Sequence, residues 1–115
     1  MAKYESELTG DFDAVLGMIE RGILKGSLSA SYEDGSDFSV GGVRCAVRVY
    51  ERYSIIGSNR VSLNVTLVGK GNDLFLSGVS SGGSQAMFFK INTIGEGTFL
   101  ECLEKIVEGY KRGAL

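Results

Sequence analysis

Residues 43–69 read VRCAVRVYERYSIIGSNRVSLNVTLVG, and this stretch decides the fold. Apolar residues occupy every odd position from 43 to 49 and again from 61 to 67, and most of the even positions between them are polar. Because successive side chains of a strand point to opposite faces, each half predicts a strand with one buried and one solvent-exposed face. The Gly-Ser-Asn sequence at 57–59 predicts the turn of an antiparallel hairpin. We predict that the odd-numbered residues of both strands face the core and that the even-numbered residues face water.

Helical spacing of apolar residues appears on both sides of this hairpin. Asp11 predicts an N-cap, and the residues after it predict a helix that runs to about Lys25 and ends at Gly26. Thr93 and Glu96 form a capping-box sequence at the start of a second helix. The apolar stripe of that second helix comprises Phe99, Leu100, Leu103, Ile106, Val107 and Tyr110.

The order of the elements predicts an α+β fold. Strands are predicted at residues 4–8, 28–32 and 86–91, in the hairpin itself, and directly before and after the hairpin. This order predicts an antiparallel β-meander of about five strands. Since each helix has one wide apolar face, we predict a two-layer sandwich with both helices packed on one sheet face. The order is helix-grip-like, and residues 1–115 are predicted to form a single domain.

Composition limits the classes of function. The 115 residues carry a net charge of −2, so no global basic field attracts nucleic acid or an anionic membrane. No apolar run approaches the roughly 20 residues of a membrane-spanning helix, and the first residues lack the apolar stretch of a secretory signal. We therefore expect a cytoplasmic protein that binds neither nucleic acid nor membrane. Histidine is absent, and Cys45 and Cys102, predicted as small core residues, do not complete a zinc site, so no metal or other cofactor is predicted.

The even-numbered side of the hairpin is the first candidate site. Arg44, Arg48, Tyr50 and Arg52 share one parity on the first strand, and Arg60 is expected beside them on the second. Guanidinium groups bind carboxylates and phosphates in a bidentate manner, so these residues predict an anion-binding surface. The same pattern is typical of a solvated sheet face whose charges pair across strands, and both interpretations stay open.

Two further patterns suggest binding surfaces. The consecutive apolar residues Leu74, Phe75 and Leu76 predict a strand covered on both faces, for which a homodimer contact is one explanation. An apolar pocket beneath the carboxyl-terminal helix is the second hypothesis, with packed core rings as its alternative. Its predicted lining is Phe38, Phe75, Phe88, Phe89, Phe99 and Tyr110.

Signals for catalysis are weak. The glycine-rich residues 80–84 match no phosphate-loop or dinucleotide motif, and a Ser81 or Ser84 pair with Lys90 has no supporting spacing. No catalytic residue is therefore predicted, although the sequence alone does not exclude an enzyme.

The sequence resembles a small family of uncharacterised bacterial proteins, mostly from Firmicutes, which is a domain of unknown function. The stretches that carry the resemblance are 9–12 (TGDF), 43–53 (VRCAVRVYERY), 81–84 (SGGS), 88–93 (FFKINT) and 95–96 (GE). The resemblance implies a bacterial cytosolic protein and implies no activity. The function predicted first is a non-catalytic binding or interaction module that forms a homo-oligomer or meets an unknown partner. The alternative is a helix-grip-like protein that binds a small apolar or anionic molecule.

Overall fold

Five strands and two helices form the part of the chain that this computed structural model describes, residues 1–27, 29–54, 59–82 and 96–113. The predicted strand at 86–91 and Thr93 of the predicted capping box lie outside the described residues. In chain order the elements are β1 (Ala2–Thr9), α1 (Phe12–Gly26), β2 (Ser31–Val40), β3 (Val43–Ser54), β4 (Asn59–Lys70), β5 (Asp73–Gly82) and α2 (Glu96–Lys111).

Helix α1 begins where the sequence predicts. The Asp11 carboxylate accepts a hydrogen bond from the Ala14 backbone N–H at 2.9 Å, which satisfies one of the unpaired donors of the first turn. The apolar positions at helical spacing then lie on one buried face, and they are Phe12, Val15, Ile19 and Ile23.

The sheet is antiparallel, with the strand order β1-β5-β4-β3-β2. Strands β2 to β5 form a meander, whereas β1 pairs with β5 at the far edge, so that α1 connects the two edge strands. Two-residue turns link β2 to β3 and β4 to β5. Gly41 and Gly42 have φ of 57° and 80°, the left-handed conformation that a tight hairpin requires. The predicted α+β fold is confirmed.

Both helices pack on the same sheet face, and glycines let them approach closely. A Cβ atom at Gly22 would lie 2.5 Å from Ile106 Cδ1, and one at Gly26 would lie 2.6 Å from Cys102 Sγ. The core between the helices and the sheet includes, from β4, β5 and α2, the fully or almost fully buried side chains of Val61, Leu63, Val65, Leu67, Leu74, Leu76, Phe99, Leu103 and Val107.

The predicted orientation is correct for β4 and wrong for β3. Ala46 pairs with Leu67 and Tyr50 pairs with Leu63, so the even-numbered residues of β3 share the helix-covered face with the odd-numbered residues of β4. The reason is the length of the connection. The ladder starts at the pair of Ser54 and Asn59, so an even number of residues separates the two strands, and cross-strand partners have opposite parity.

Candidate functional site

The sheet face opposite the helices carries an exposed apolar surface, and we call it the open face. All four outward side chains of β3 before Glu51 are apolar there: Val43, Cys45, Val47 and Val49. Each of them is partly exposed, and no other element packs on this face within the described ranges. A strand that the sequence assigns to the core by its odd residues therefore presents those residues to solvent.

Neighbouring strands extend the apolar surface. Phe38 pairs with Cys45, Cys45 with Val68, and Val68 with Phe75, so one apolar row crosses four strands. Phe38 is 57% exposed, Phe75 is 40% exposed, and Val40 at the end of β2 is 69% exposed. Large contiguous apolar patches are uncommon on monomeric proteins and often mark contact surfaces.

Sequence reasoning missed the open face because it took the more apolar parity of β3 to be the core parity. The structure shows the opposite orientation, because the even-numbered Ala46 and Tyr50 are fully buried and the ladder that begins at Ser54 and Asn59 leaves an even number of residues between the strands.

Arg44 lies on the helix side of the sheet and forms a salt bridge from β3 to α1. Its two Nη atoms donate hydrogen bonds to the Asp13 carboxylate, each at 2.9 Å, and its guanidinium lies 4.2 Å from the centre of the Phe12 ring. The hydrogen bonds from Arg44 hold the pKa of Asp13 below its usual value. Arg44 is therefore engaged within the chain.

Arg48 and Tyr50 are also on the helix side. Arg48 donates to Asp37 at 3.0 Å and to the Val47 carbonyl at 2.9 Å, and its side chain is only 14% exposed. Tyr50 is fully buried, with its ring 5.9 Å from that of Tyr32 in an edge-to-face arrangement. Its hydroxyl has no hydrogen-bond partner among the described residues, and burial raises the pKa of the phenol well above its ordinary value.

Arg52 borders a surface pocket of about 580 Å³ between the two helices. Its guanidinium lies 4.7 Å from the centre of the Phe99 ring, and burial lowers its pKa. Burial also raises the pKa of the Cys102 thiol on the same pocket. Among the described residues its lining is Gly22, Gly26, Arg52, Glu101, Cys102, Lys105 and Ile106.

Arg60 is the one predicted site residue that projects from the open side. Its Nε donates to Glu51 at 2.7 Å, and its Nη2 lies 4.0 Å from Glu33. The structure therefore divides the predicted arginine row between two faces. Anion binding at Arg44, Arg48, Tyr50, Arg52 and Arg60 stays a prediction.

The strand predicted to form a dimer contact and the predicted apolar pocket both differ from expectation in the structure. Leu74 and Leu76 are buried in the chain's own core, and of these three residues only Phe75 faces outward. Phe38 and Phe75 lie across the sheet from the buried Phe99, so they do not line one pocket with it; Phe88 and Phe89 lie outside the described residues.

Residues 1–111 match DUF6054, a family of unknown function. The chain belongs to the DUF6054 family. This membership confirms the predicted resemblance to a domain of unknown function, and the match spans almost the whole chain. No curated protein matches the sequence.

In this DUF6054 chain the two cysteines are free, and both are half-buried rather than core residues. Ser81 contacts the Ser62 hydroxyl at 3.1 Å, whereas Ser84 and Lys90 lie outside the described residues. Within the part of the chain that the structure describes, no three His, Cys, Asp or Glu residues are grouped to hold a metal ion. Neither described helix has the length and apolar character needed to cross a membrane.

Proposed function

We propose that this chain is a non-catalytic interaction module that associates with a second copy of itself through the open face. The observation that carries the proposal is the row of Val43, Cys45, Val47 and Val49 on a sheet face that no described element covers. Removing apolar surface from water contributes roughly 25 cal/mol per Å², so covering this row stabilises an assembly.

The size of the open face fits one partner of the same size. Five strands about 4.8 Å apart, each about 30 Å long, give a face of roughly 700 Å². A standard protein interface buries about 800 Å² on each partner. Two copies that pack through the same face form a closed, symmetric dimer, in which both apolar surfaces are removed from water at once.

Charge and redox chemistry favour a protein partner in the cytoplasm. Along the two edges of the open face the carboxylates of Glu5, Glu7 and Asp34 outnumber the one ammonium, that of Lys3, which disfavours nucleic acid and anionic lipid. We expect the bacterial cytoplasm, a reducing compartment in which a partly exposed thiol such as that of Cys45 stays free.

The test is the mass of the chain in solution as a function of concentration, measured by sedimentation or light scattering. Val47→Lys places a charge in the middle of the open face, and burying an unpaired ammonium should raise the dimer dissociation constant at least about 100-fold. Leu24→Lys is the matched control, because Leu24 is an exposed apolar residue of α1 on the helix side.

We expect a dimer for the wild-type chain and for Leu24→Lys, and a folded monomer for Val47→Lys. A wild-type chain that stays monomeric up to its solubility limit would refute the proposal. Equal effects of the two lysine substitutions would refute the assignment to the open face.

The pocket at Arg52 favours a second candidate function, the binding of a small anion. The Arg52 guanidinium lies 4.7 Å from the centre of the Phe99 ring, and Lys105 lines the same pocket. Because a ligand that binds only the folded state raises the melting temperature, titration with inorganic phosphate and with citrate tests this candidate. We expect an upward shift that Lys105→Gln reduces; no shift with either anion at millimolar concentration would reject it.

A further inference from the structure

The antiparallel registers align the open-face side chains in rows that cross the whole sheet. In one row Asp34 pairs with Val49, Val49 with Asn64, Asn64 with Val79, and Val79 with Lys3. This row has a carboxylate at the β2 edge, an ammonium at the β1 edge, and two valines placed symmetrically about the central Asn64.

Because this row is negative at one end and positive at the other, it is complementary to the same row of a second copy that runs in the opposite direction. A two-fold axis parallel to the strands reverses each row onto the same row of a second copy. We propose, resting on the self-association proposed above, that the second copy packs open face against open face about a two-fold axis along β4. Lys3 of each copy then meets Asp34 of the other, and these two residues determine which surfaces pair.

The same axis also matches apolar residues on the three central strands. It brings β3 against β5 of the second copy, so that Val49 faces Val79 and Cys45 faces Phe75. Val68 lies on β4 and faces its own counterpart. At the ends of that row Phe38 faces Glu7, so the apolar match covers β3, β4 and β5 and the charge match lies at the edge strands.

An axis along β3 is the competing arrangement, and it covers less of the sheet. Because β3 has only β2 on its outer side, such an axis overlaps three strands and leaves β5 and β1 beyond the edge of the partner. Phe75 and Val79 then stay exposed. β4 is the central strand of the five, so only an axis along β4 overlaps the full width of both sheets.

The geometry of packed sheets permits the Lys3–Asp34 pair. Sheets that pack face to face lie about 10 Å apart and rotate by about 30°, which displaces strands two places from the axis by about 5 Å. The four-carbon stem of lysine spans such a displacement. Lys3 and Asp34 are both exposed, and neither forms an ion pair with another described residue.

Charge reversal tests the pairing. Each dimer contains the Lys3–Asp34 pair twice, and ion pairs at the rim of an interface are weak, so Lys3→Glu or Asp34→Lys alone should weaken the dimer about tenfold. The double variant Lys3→Glu/Asp34→Lys restores opposite charges and should return the dissociation constant to within about threefold of wild type. Lys25→Glu, on the exposed side of α1, is the matched control and should leave it unchanged.

Cross-linking with a short bis-maleimide supplies an independent readout. In a Cys45→Ser/Cys102→Ser background, the Val68→Cys variant should cross-link across the axis, whereas Cys45 in a Cys102→Ser chain should not. The reverse pattern would establish the β3 axis and overturn this proposal. If Val47→Lys abolishes the dimer but neither charge reversal changes its dissociation constant, the proposed axis is wrong and self-association still holds. If the wild-type chain is monomeric, both the axis and self-association are wrong.

Discussion

On the helix side of β3, Arg44 and Arg52 lie over phenylalanine rings, whereas on the open side of the same strand Val47 and Val49 face outward. The residue types suggest the opposite arrangement. The difference shows that a strand's register with its neighbours, and not its own hydrophobicity, decides which of its faces is buried. The apolar stems of arginine cover aromatic rings at the rim of the core, so charged residues are compatible with the covered face.

The largest expected difference between the two faces is in the cost of deleting a side chain. Val65 is 1% exposed on the helix side, and Val65→Ala should lower the free energy of unfolding by about 2 kcal/mol through lost burial and the cavity left behind. Val47→Ala, on the open side, should lower it by less than about 0.5 kcal/mol in dilute, monomeric protein. Urea unfolding at low concentration measures both, and similar losses would mean that the open face is covered within the chain.

A smaller effect is expected from the closeness of the two helices. A Cβ atom at Gly22 would lie 2.5 Å from Ile106, so Gly22→Ala should destabilise the fold by about 1 kcal/mol, the net of crowding and improved helix propensity. Gly17→Ala is the matched control in the same helix, since its Cβ would approach only the flexible end of Arg21, at 3.0 Å. The control should stabilise by up to about 1 kcal/mol in thermal or urea unfolding. Stabilisation by both substitutions would show that α2 yields at this contact.

The sequence was sufficient for the elements that depend on local patterns. Asp11 and the stripe from Phe12 to Ile23 specify α1, and the alternation from Val61 to Leu67 specifies the buried side of β4. Each of these patterns lies within a single helix or strand, so it can be recognised without knowing how that element packs against others.

The candidate site was less predictable because it depends on relations between elements. Arg44 meets Asp13 from a distant part of the chain, and Arg52 meets Phe99 of α2. Such pairs follow from the register of the sheet and the position of the helices. A one-residue difference in register moves every side chain of a strand to the other face, so the orientation of β3 controls the whole interpretation of its arginines and valines.

The smallest expected effect is at Tyr50, the buried residue that marks the even side of β3 as the covered side. Its hydroxyl is buried without a partner among the described residues, so Tyr50→Phe should leave the free energy of unfolding unchanged or raise it by up to about 1 kcal/mol near neutral pH. Burial raises the pKa of the folded-state phenol, so the neutral form stabilises the fold below the unfolded-state pKa of about 10, and that stability is lost as the pH rises further. Wild-type stability should therefore fall more steeply than that of Tyr50→Phe between pH 9 and pH 11, as measured by urea unfolding. A loss of more than 1 kcal/mol for Tyr50→Phe at pH 7 would instead mean that the hydroxyl has a partner, and that the covered face of β3 is more polar than its packing indicates.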